Sequence, residues 1–501
     1  MSIRSEFNEN RRGWIVFISV VFITITRAGF YYSFGIIVAK LTEEFNESVA
    51  LTSWVGIGAI AITNTFSFVP TLVIRRLGRC GYRVCGIVGT VLEGIGLFST
   101  SCMQKVPHMF FTYTILFGVG SCFVNMASNL IVTAFFPRGH KRHVFATTSV
   151  YCGYAIASLI YNPLTNTVVE GLSWRVAFQA QATLVILVGV AGSWTFVPNN
   201  EDKESKPLNA DQHFNHTTDV ETSTKQQQHY RHHQEQQQQH QQQPHENLQQ
   251  DESNSMKSNA RAFLKLDVVC WLVAAYFNAI SYFTPFFILP HYMKKKNLTT
   301  FNISLIMMML SLSECLIYLV TSLPGDLLAG KLIYVHITAS SLLCLLNYLW
   351  SLLDANYGMI LALAMSEGLL IALNCVYVYA CSAEVTDINI EIAWSVTNIF
   401  SGFGVITAPL FSGFIYDLTL SYYGVFFMMS SVTLVSSILY CSIPLIKSCG
   451  NNNNNKNNKN MDNNNNSNYG YHDINNDSTD NDYYNNNDAV SEKRRRWLCW
   501  L

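Results

Sequence analysis

The sequence predicts an all-α membrane protein whose twelve transmembrane helices form two six-helix bundles. The 501 residues are 50% hydrophobic and 13% charged, and the charged fraction is about half that of an ordinary soluble domain. Twelve apolar stretches of bilayer-spanning length fall into two groups of six, and a polar tract separates the groups. These long apolar runs lack period-two alternation, which favours helices and excludes a membrane barrel.

The six stretches of each group are joined by short polar connections, so neighbouring helices are expected to be antiparallel. The first group lies at about residues 14–41, 51–74, 84–102, 108–135, 144–169 and 176–196. The second group lies at about residues 267–290, 303–327, 332–352, 358–383, 393–417 and 424–446.

The composition outside the spans predicts disordered segments. The tract between the groups is rich in Gln and His, and the C-terminal tail is rich in Asn. Neither buries enough apolar surface to offset the entropy of ordering. The predicted organisation is a cytoplasmic N-terminus (1–13), an N-terminal bundle (14–198), a disordered cytoplasmic linker (199–264), a C-terminal bundle (265–448) and a disordered cytoplasmic tail (449–501).

The distribution of Lys and Arg predicts the orientation in the membrane. Cations concentrate in the loops on the linker's side: Arg4, Arg11, Arg12, Arg75, Arg76, Arg79, Arg83, Arg138, Lys141 and Arg142. The positive-inside rule makes this side, with both termini, cytoplasmic. Lys294 to Lys296 are an exception on the opposite side. Glycosylation sequons beginning at Asn46, Asn297 and Asn302 agree with that side being external, and the plasma membrane is the expected location.

An internal repeat relates the two groups of spans. The fifth span contains Ser149-Val150 and, fourteen residues after Ser149, Pro163-Leu164, while the eleventh contains Ser395-Val396 and, at the same distance, Pro409-Leu410. Small residues, among them Gly153 and Gly404, lie between these marks and allow membrane helices to approach closely. The repeat predicts a pseudo-twofold pair of bundles in which Gly153, Pro163, Gly402, Gly404 and Pro409 permit sliding during conformational change.

Several functional classes are disfavoured by composition and spacing. The formal net charge of −1 indicates no nucleic-acid partner. The thirteen cysteines lie mostly within apolar runs, which is typical of neither a disulfide framework nor a metal site. The chain has no Gly-rich phosphate loop or nucleophile elbow, so we expect no enzyme and no cofactor.

Colinear motifs run along nearly the whole membrane portion. They are Gly13-Trp14, Ser33-Phe34-Gly35, Ser53-Trp54, Lys141-Arg142 with Ala146 and Gly153, Ser173-Trp174-Arg175 with Phe178, Pro285, the stretch from Ser382 to Asp387, and Ala408-Pro409-Leu410 through Gly413. Together they resemble the motifs of the monocarboxylate transporter family of the major facilitator superfamily. The resemblance implies a secondary transporter that moves a small organic solute across a lipid bilayer by alternating access. The resemblance also implies two candidate partners, which are a proton as the coupling ion and an accessory single-span glycoprotein.

The chain departs from the family's proton-coupled lactate carriers at the positions that hold the substrate. Their lysine in the first span falls on Tyr32, and their aspartate and arginine in the eighth span fall on Glu314 and Tyr318. Both cations are therefore absent. A monocarboxylate cannot simply be assumed, and an aromatic or amphipathic solute is the other expectation, since other branches of the family resemble carriers of aromatic amino acids and thyroid hormones.

Ionisable residues at membrane depth are functional candidates because each is costly to bury. They are Arg27, Glu93, Glu314 and Glu367. The superfamily's architecture favours Arg27 and Glu314 as cavity residues, keeps Glu367 as a second choice and discounts Glu93. We hypothesise that Arg27 binds an anionic group of the solute or pairs with Glu314 when the site is empty. The competing interpretation is that both residues only lock the bundles together.

Further residues are predicted to complete the site and its gates. Tyr32, Tyr318, Asn278 and Phe283 would provide polar tips and aromatic faces to a cavity wall. Arg142 belongs with the cationic loops expected to clamp the cytoplasmic end. The alternative function is a non-transporting membrane sensor with a transporter fold.

Overall fold

In the described residues, this computed structural model has twelve helices in two sets of six. Two of these helices are each divided into two segments. The structure describes residues 10–137, 140–198, 263–322, 324–328, 330–353, 356–386 and 389–466. Most of the predicted linker and the tail beyond residue 466 lie outside these ranges. The first half comprises α1 Arg11–Phe45, α2 in two segments Val49–Thr65 and Phe68–Leu77, α3 Arg79–Ser101, α4 Val106–Phe135, α5 His143–Gly171 and α6 Trp174–Ser193. The second half comprises α7 Leu266–Lys295, α8 Thr300–Ser322, α9 Leu332–Leu352, α10 in two segments Tyr357–Val376 and Val378–Thr386, α11 Ile390–Thr419 and α12 Tyr422–Asn466.

The helices confirm the predicted all-α membrane fold. In the described ranges, eleven helices are long and apolar enough to cross a membrane, and a twelfth span results if the two segments of α2, bent by 41°, are one span. Pro163 lies inside α5 and Pro409 inside α11. The residues that follow them, Leu164 and Leu410, are 52% and 51% exposed. The repeated motifs therefore occupy matched positions in the two halves.

Helix α12 extends further than the sequence predicts. It continues to Asn466, so the first part of the Asn-rich tail is helical where the sequence analysis expects disorder. Asn is a weak helix former. Extension of an existing helix, however, adds one hydrogen bond per residue without a new nucleation step, which is a physical reason for the continuation.

Backbone conformation provides a second sign of the repeat. Asn46 and Asn297 have positive φ values of 52° and 59° at the ends of α1 and α7, the first helix of each half. Gly78 and Gly330 have φ values of 57° and 82° just before α3 and α9, the third helix of each half. Asn and Gly are the residues that adopt this left-handed region most readily. The two halves thus share their turn chemistry.

The same turns explain two of the predicted sequons. Asn46 ends α1, and the Ser48 hydroxyl accepts a hydrogen bond from the Leu51 N–H (3.2 Å) at the start of α2. Asn297 follows α7, and the Thr299 hydroxyl accepts one from the Asn302 N–H (3.3 Å) at the start of α8. Each Asn-x-Ser/Thr pattern is a left-handed turn followed by a helix N-cap, so local structure accounts for it without a glycan.

The two halves pack against each other through apolar surfaces as well as within themselves. One buried cluster combines Val144 and Cys152 of the first half with Trp271, Cys315 and Tyr318 of the second. Two further clusters each lie within one half. An example is the stack of Tyr113 between Phe34 and Phe117, with ring centroids 4.7 Å apart in both pairs. Some of the candidate site residues described below lie at this surface between the halves, and others lie inside one half.

Candidate functional site

A stripe of α8 carries the central acidic residue. Ser311, Glu314 and Tyr318 are three and four residues apart and therefore share one helix face. That face meets α5, because the Ser311 and Ser158 hydroxyls are 2.8 Å apart. Glu314 is 2% exposed, and its Oε1 atom has no hydrogen-bond partner. A buried carboxyl oxygen without a partner is costly, which makes Glu314 a candidate binding group.

Glu314 has aromatic neighbours, and we call three tyrosines that interact with it, Tyr32, Tyr282 and Tyr318, together with Phe286, which packs on two of them, the aromatic cage. The hydroxyls of Tyr32 and Tyr282 are 3.0 Å apart, which joins α1 of one half to α7 of the other. The Phe286 ring lies 5.6 Å from Tyr32 and 5.8 Å from Tyr282, between centroids. Glu314 interacts electrostatically with all three tyrosines. Residues from α1, α7 and α8 therefore converge on one carboxyl group.

Arg27 lies in the first half and does not pair with Glu314. Its Nη2 donates hydrogen bonds to Asn125 Oδ1 (3.0 Å) and Tyr154 Oη (2.8 Å). Its charge interacts with Tyr154, Tyr31 and Glu93. The expected ion pair across the halves is therefore not formed in this structure, since Arg27 is held by α4 and α5 of its own half.

Glu93 is the acidic neighbour of Arg27. The two residues line one small cavity, with room for about one water molecule, together with Ile23, Thr26, Val185 and Gly189. Ser121 Oγ donates a hydrogen bond to Glu93 Oε1, and the Nε of Arg27 has no partner. The sequence analysis discounted Glu93 because of the peripheral place of α3, but the face that carries Glu93 points toward α1 and α4.

The remaining predicted site residues are not all in one place. Tyr318 and Tyr32 belong to the cage. Asn278 of α7 is buried, and Phe283 packs beside Ile57, Ala61 and Val405 where α2 meets α11. Glu367 is 1% exposed and lies in the second half beside the Trp350 indole, outside hydrogen-bond geometry.

Two of the three predicted sliding glycines lie inside their halves. A Cβ atom on Gly404 would lie 2.4 Å from the Tyr276 carbonyl oxygen of α7. A Cβ on Gly153 would lie 3.1 Å from Thr24 of α1. The third, Gly402, makes a close contact between the halves, because a Cβ there would lie 2.4 Å from Thr65 Oγ1 of α2.

Polar contacts join the halves at the linker end, the end at which residue 198 follows α6 and residue 263 leads into α7. The Thr71 and Ser395 hydroxyls are 2.6 Å apart, and Ser67 donates to the Ser395 carbonyl. The Thr133 and Tyr379 hydroxyls are 3.1 Å apart. The Tyr82 hydroxyl lies 3.5 Å from Glu391 Oε1. We call these contacts, with that of Asp326 below, the linker-end latch.

Asp326 forms the most directional contact of the latch. Its Oδ1 accepts a hydrogen bond from the Val144 N–H (2.7 Å), and its Oδ2 accepts one from the Phe145 N–H (3.4 Å). It thus caps α5 from the other half, where N–H groups are unpaired and the helix dipole favours an anion. Arg142 immediately precedes α5, with its guanidinium 6.0 Å from the Phe145 ring, and interacts with Asp326.

Sequence reasoning named Glu93 but discounted it, and it missed Tyr282. Tyr282 stands next to the predicted Phe283, so the aromatic run of α7 was the available signal. The sequence predicts both Gly402 and Gly404 as sliding positions. Only the three-dimensional packing shows which of the two glycines faces the other half.

Comparisons with known proteins agree with this architecture. The family described as "Major Facilitator Superfamily" matches residues 17–387. Human "Monocarboxylate transporter 7" is 26% identical over 192 residues, which are 38% of this chain and 36% of that protein. Human "Monocarboxylate transporter 6" is 27% identical over 165 residues (33% and 32%), and mouse "Monocarboxylate transporter 14" is 24% identical over 180 residues (36% and 34%).

These alignments span about a third of the length of each relative, whereas the superfamily match covers most of the chain. The chain belongs to the major facilitator superfamily, and the relatives that it resembles are monocarboxylate transporters.

Proposed function

We propose that the protein is a secondary transporter that carries a small organic solute across a membrane by alternating access. The observation that carries the proposal is Glu314, a buried carboxyl group at the surface between two repeated halves, with one oxygen atom unpartnered. A group in this position can take up a proton or a charged part of the solute and return it on the other side. The similar proteins are named as transporters, which supports transport as the activity.

The proposed conformational cycle uses the contacts between the halves. The linker-end latch closes one end, and the Tyr32–Tyr282 pair joins the halves beside the site. Glu314 and Tyr318, each 2% exposed, are closed off from solvent. Release of the latch would open the linker end while the halves rock about the centre. The orientation rule makes that end cytoplasmic, and the plasma membrane is the proposed location.

Counter-exchange in proteoliposomes tests the proposed function. The solutes are monocarboxylates, aromatic amino acids, iodothyronines and organic ammonium ions, each with and without a pH gradient. We expect at least one solute to show saturable uptake that is accelerated by the same solute inside. A sensor would show no uptake and a channel no saturation, and either result would refute the proposal.

The Asp326→Ala variant is expected to loosen the linker end. Loss of a helix cap costs about 1 kcal/mol, within a range of 0.5–2, so the open form should gain roughly fivefold in population. Hydrogen exchange of the peptide that contains Val144 and Phe145, followed by mass spectrometry, should be faster by that factor. Asp267→Ala is the matched control, because Asp267 bonds only its neighbour's N–H at the start of α7 (3.0 Å). Equal exchange in wild type and Asp326→Ala would contradict the latch.

The latch is also expected to respond to pH. Burial raises the pKa of Asp326 above its usual value, although the Val144 and Phe145 N–H groups and the charges of His143 and Arg142 act in the opposite direction. The closed form therefore binds the proton more tightly than the released carboxyl does. Asp326 therefore stabilises the closed form fully when the pH is below the ordinary pKa of its carboxyl group. This stabilisation is lost as the pH rises through the raised pKa of the closed form. Exchange at Val144 should increase across that window in wild type and not in Asp326→Asn.

A further inference from the structure

Among the residues that are buried away from the helix ends, acidic side chains outnumber basic ones. In the described spans these charged residues are Arg27, Glu93, Glu314 and Glu367. The single guanidinium shares its cavity with Glu93 and donates to Asn125 and Tyr154. It is therefore already compensated inside the first half. Glu314 has no cation among its electrostatic neighbours, which are tyrosines and the thiols of Cys315 and Cys375.

The surroundings of Glu314 are suited to a cation. The faces of aromatic rings attract cations, most strongly where water is excluded. The cage supplies Tyr32 from α1, Tyr282 and Phe286 from α7, and Tyr318 from α8, while Glu314 supplies a carboxylate with a free oxygen. The half-buried Tyr151 extends this surface, with its ring 6.2 Å from that of Tyr318. An anionic solute would find no positive group here.

We infer that the solute carries an organic ammonium group, which binds between Glu314 and the aromatic cage. This inference rests on the proposed transport function and narrows its substrate class from a small organic solute to an amine, a quaternary ammonium ion or a zwitterion that presents its ammonium end to Glu314. A proton on Glu314 competes with the ammonium group, so one carboxyl exchanges a proton for the cation.

The first test compares two aromatic probes of opposite charge. Phenyltrimethylammonium is permanently cationic and does not cross lipid as a neutral form, and 3-phenylpropionate is an anion of similar size. Binding to purified wild-type protein is measured by thermal stabilisation and transport by proteoliposome counter-exchange. We expect both signals for the cation and neither for the anion. Binding or exchange of the anion alone would overturn the inference and leave the proposed transport function intact.

Variants locate the binding site. Glu314→Gln should weaken binding of phenyltrimethylammonium by about 10-fold or more, because a charged partner is lost. Glu367→Gln is the matched control, since it removes another buried carboxyl of the same half that lies beside Trp350. Tyr318→Leu should weaken binding by about 2- to 30-fold and Tyr318→Phe should retain it, because the ring face makes the contact.

A variant that adds a positive charge beside Glu314 provides an independent check. Tyr318→Lys places an ammonium group one helical turn from Glu314, so the site supplies its own cation. Thermal stabilisation by phenyltrimethylammonium should then disappear in protein that elutes as wild type does on size exclusion. Equal stabilisation of wild type, Glu314→Gln and Tyr318→Lys would show that the cation binds elsewhere and would overturn the inference. If the cation stabilises wild type but no solute is exchanged, the ammonium site stands and the transport proposal fails.

Discussion

Replacement of Arg27 by Met is expected to lower the free energy of unfolding by about 3–5 kcal/mol, because it leaves Glu93 as an uncompensated buried charge. The structure supports this size of effect, since Arg27 and Glu93 line one small cavity and each is no more than 3% exposed. The free energy would be measured by reversible unfolding with sodium dodecyl sulfate in bicelles. Methionine is similar in length to the arginine stem, so the lost charge dominates the change.

The double variant Arg27→Met with Glu93→Gln separates charge compensation from packing. It should recover most of the stability, because removing both charges of a buried pair is often nearly neutral. Glu314→Gln in place of Glu93→Gln is the control and should recover nothing, since Arg27 does not interact with Glu314. If the losses of the Arg27 and Glu93 variants simply added, the proposed compensation would be wrong.

Replacement of Gly402 by Val is expected to slow solute exchange by about tenfold or more while the protein remains folded. A Cβ at this position would lie 2.4 Å from Thr65 Oγ1 and 2.8 Å from the Thr65 backbone nitrogen. Overpacking costs about 1–3 kcal/mol, and here the halves can relieve the clash by separating. The closed form that the cycle requires becomes scarce, and exchange rates measured in proteoliposomes should fall accordingly.

Gly404→Val is the matched substitution on the same helix. Its Cβ would lie 2.4 Å from the Tyr276 carbonyl oxygen within the second half, where no rigid-body movement of the halves relieves the clash. We therefore expect Gly404→Val to lower the yield of folded protein and Gly402→Val to lower the exchange rate per folded molecule. The reverse pattern would contradict the assignment of Gly402 to the surface between the halves.

The fold was predictable because its causes are local in the sequence. Helix positions follow from apolar run length, and the paired prolines inside α5 and α11, Pro163 and Pro409, follow from the repeated motifs. The helical extension to Asn466 was not predictable in this way, because it continues a helix whose stability comes from the preceding apolar span. The Asn-rich composition predicts disorder in this stretch, but continuation of the preceding helix outweighed the low helix propensity of Asn.

The site was predictable in its components but not in its pairing. Burial of a charge in a membrane singles out Arg27, Glu93, Glu314 and Glu367 from sequence alone. Which of them meet depends on helix rotation, since about 100° separates neighbouring residues on a helix. That rotation brings Arg27 to Glu93 rather than to Glu314. It also places the Tyr32 hydroxyl against Tyr282 of the other half, a contact that hydropathy does not indicate.

A reversible crosslink across the linker-end latch tests alternating access most directly. Thr71→Cys with Ser395→Cys, in a cysteine-free background, places two thiols where the hydroxyls are 2.6 Å apart across the halves. Ser341→Cys with Ser437→Cys is the control, since those hydroxyls are 2.8 Å apart within the second half. Oxidation of the first pair should abolish counter-exchange of the transported solute and reduction should restore it, while the control pair exchanges solute in both states. Exchange that persists at full rate with the halves crosslinked at Thr71 and Ser395 would contradict the account.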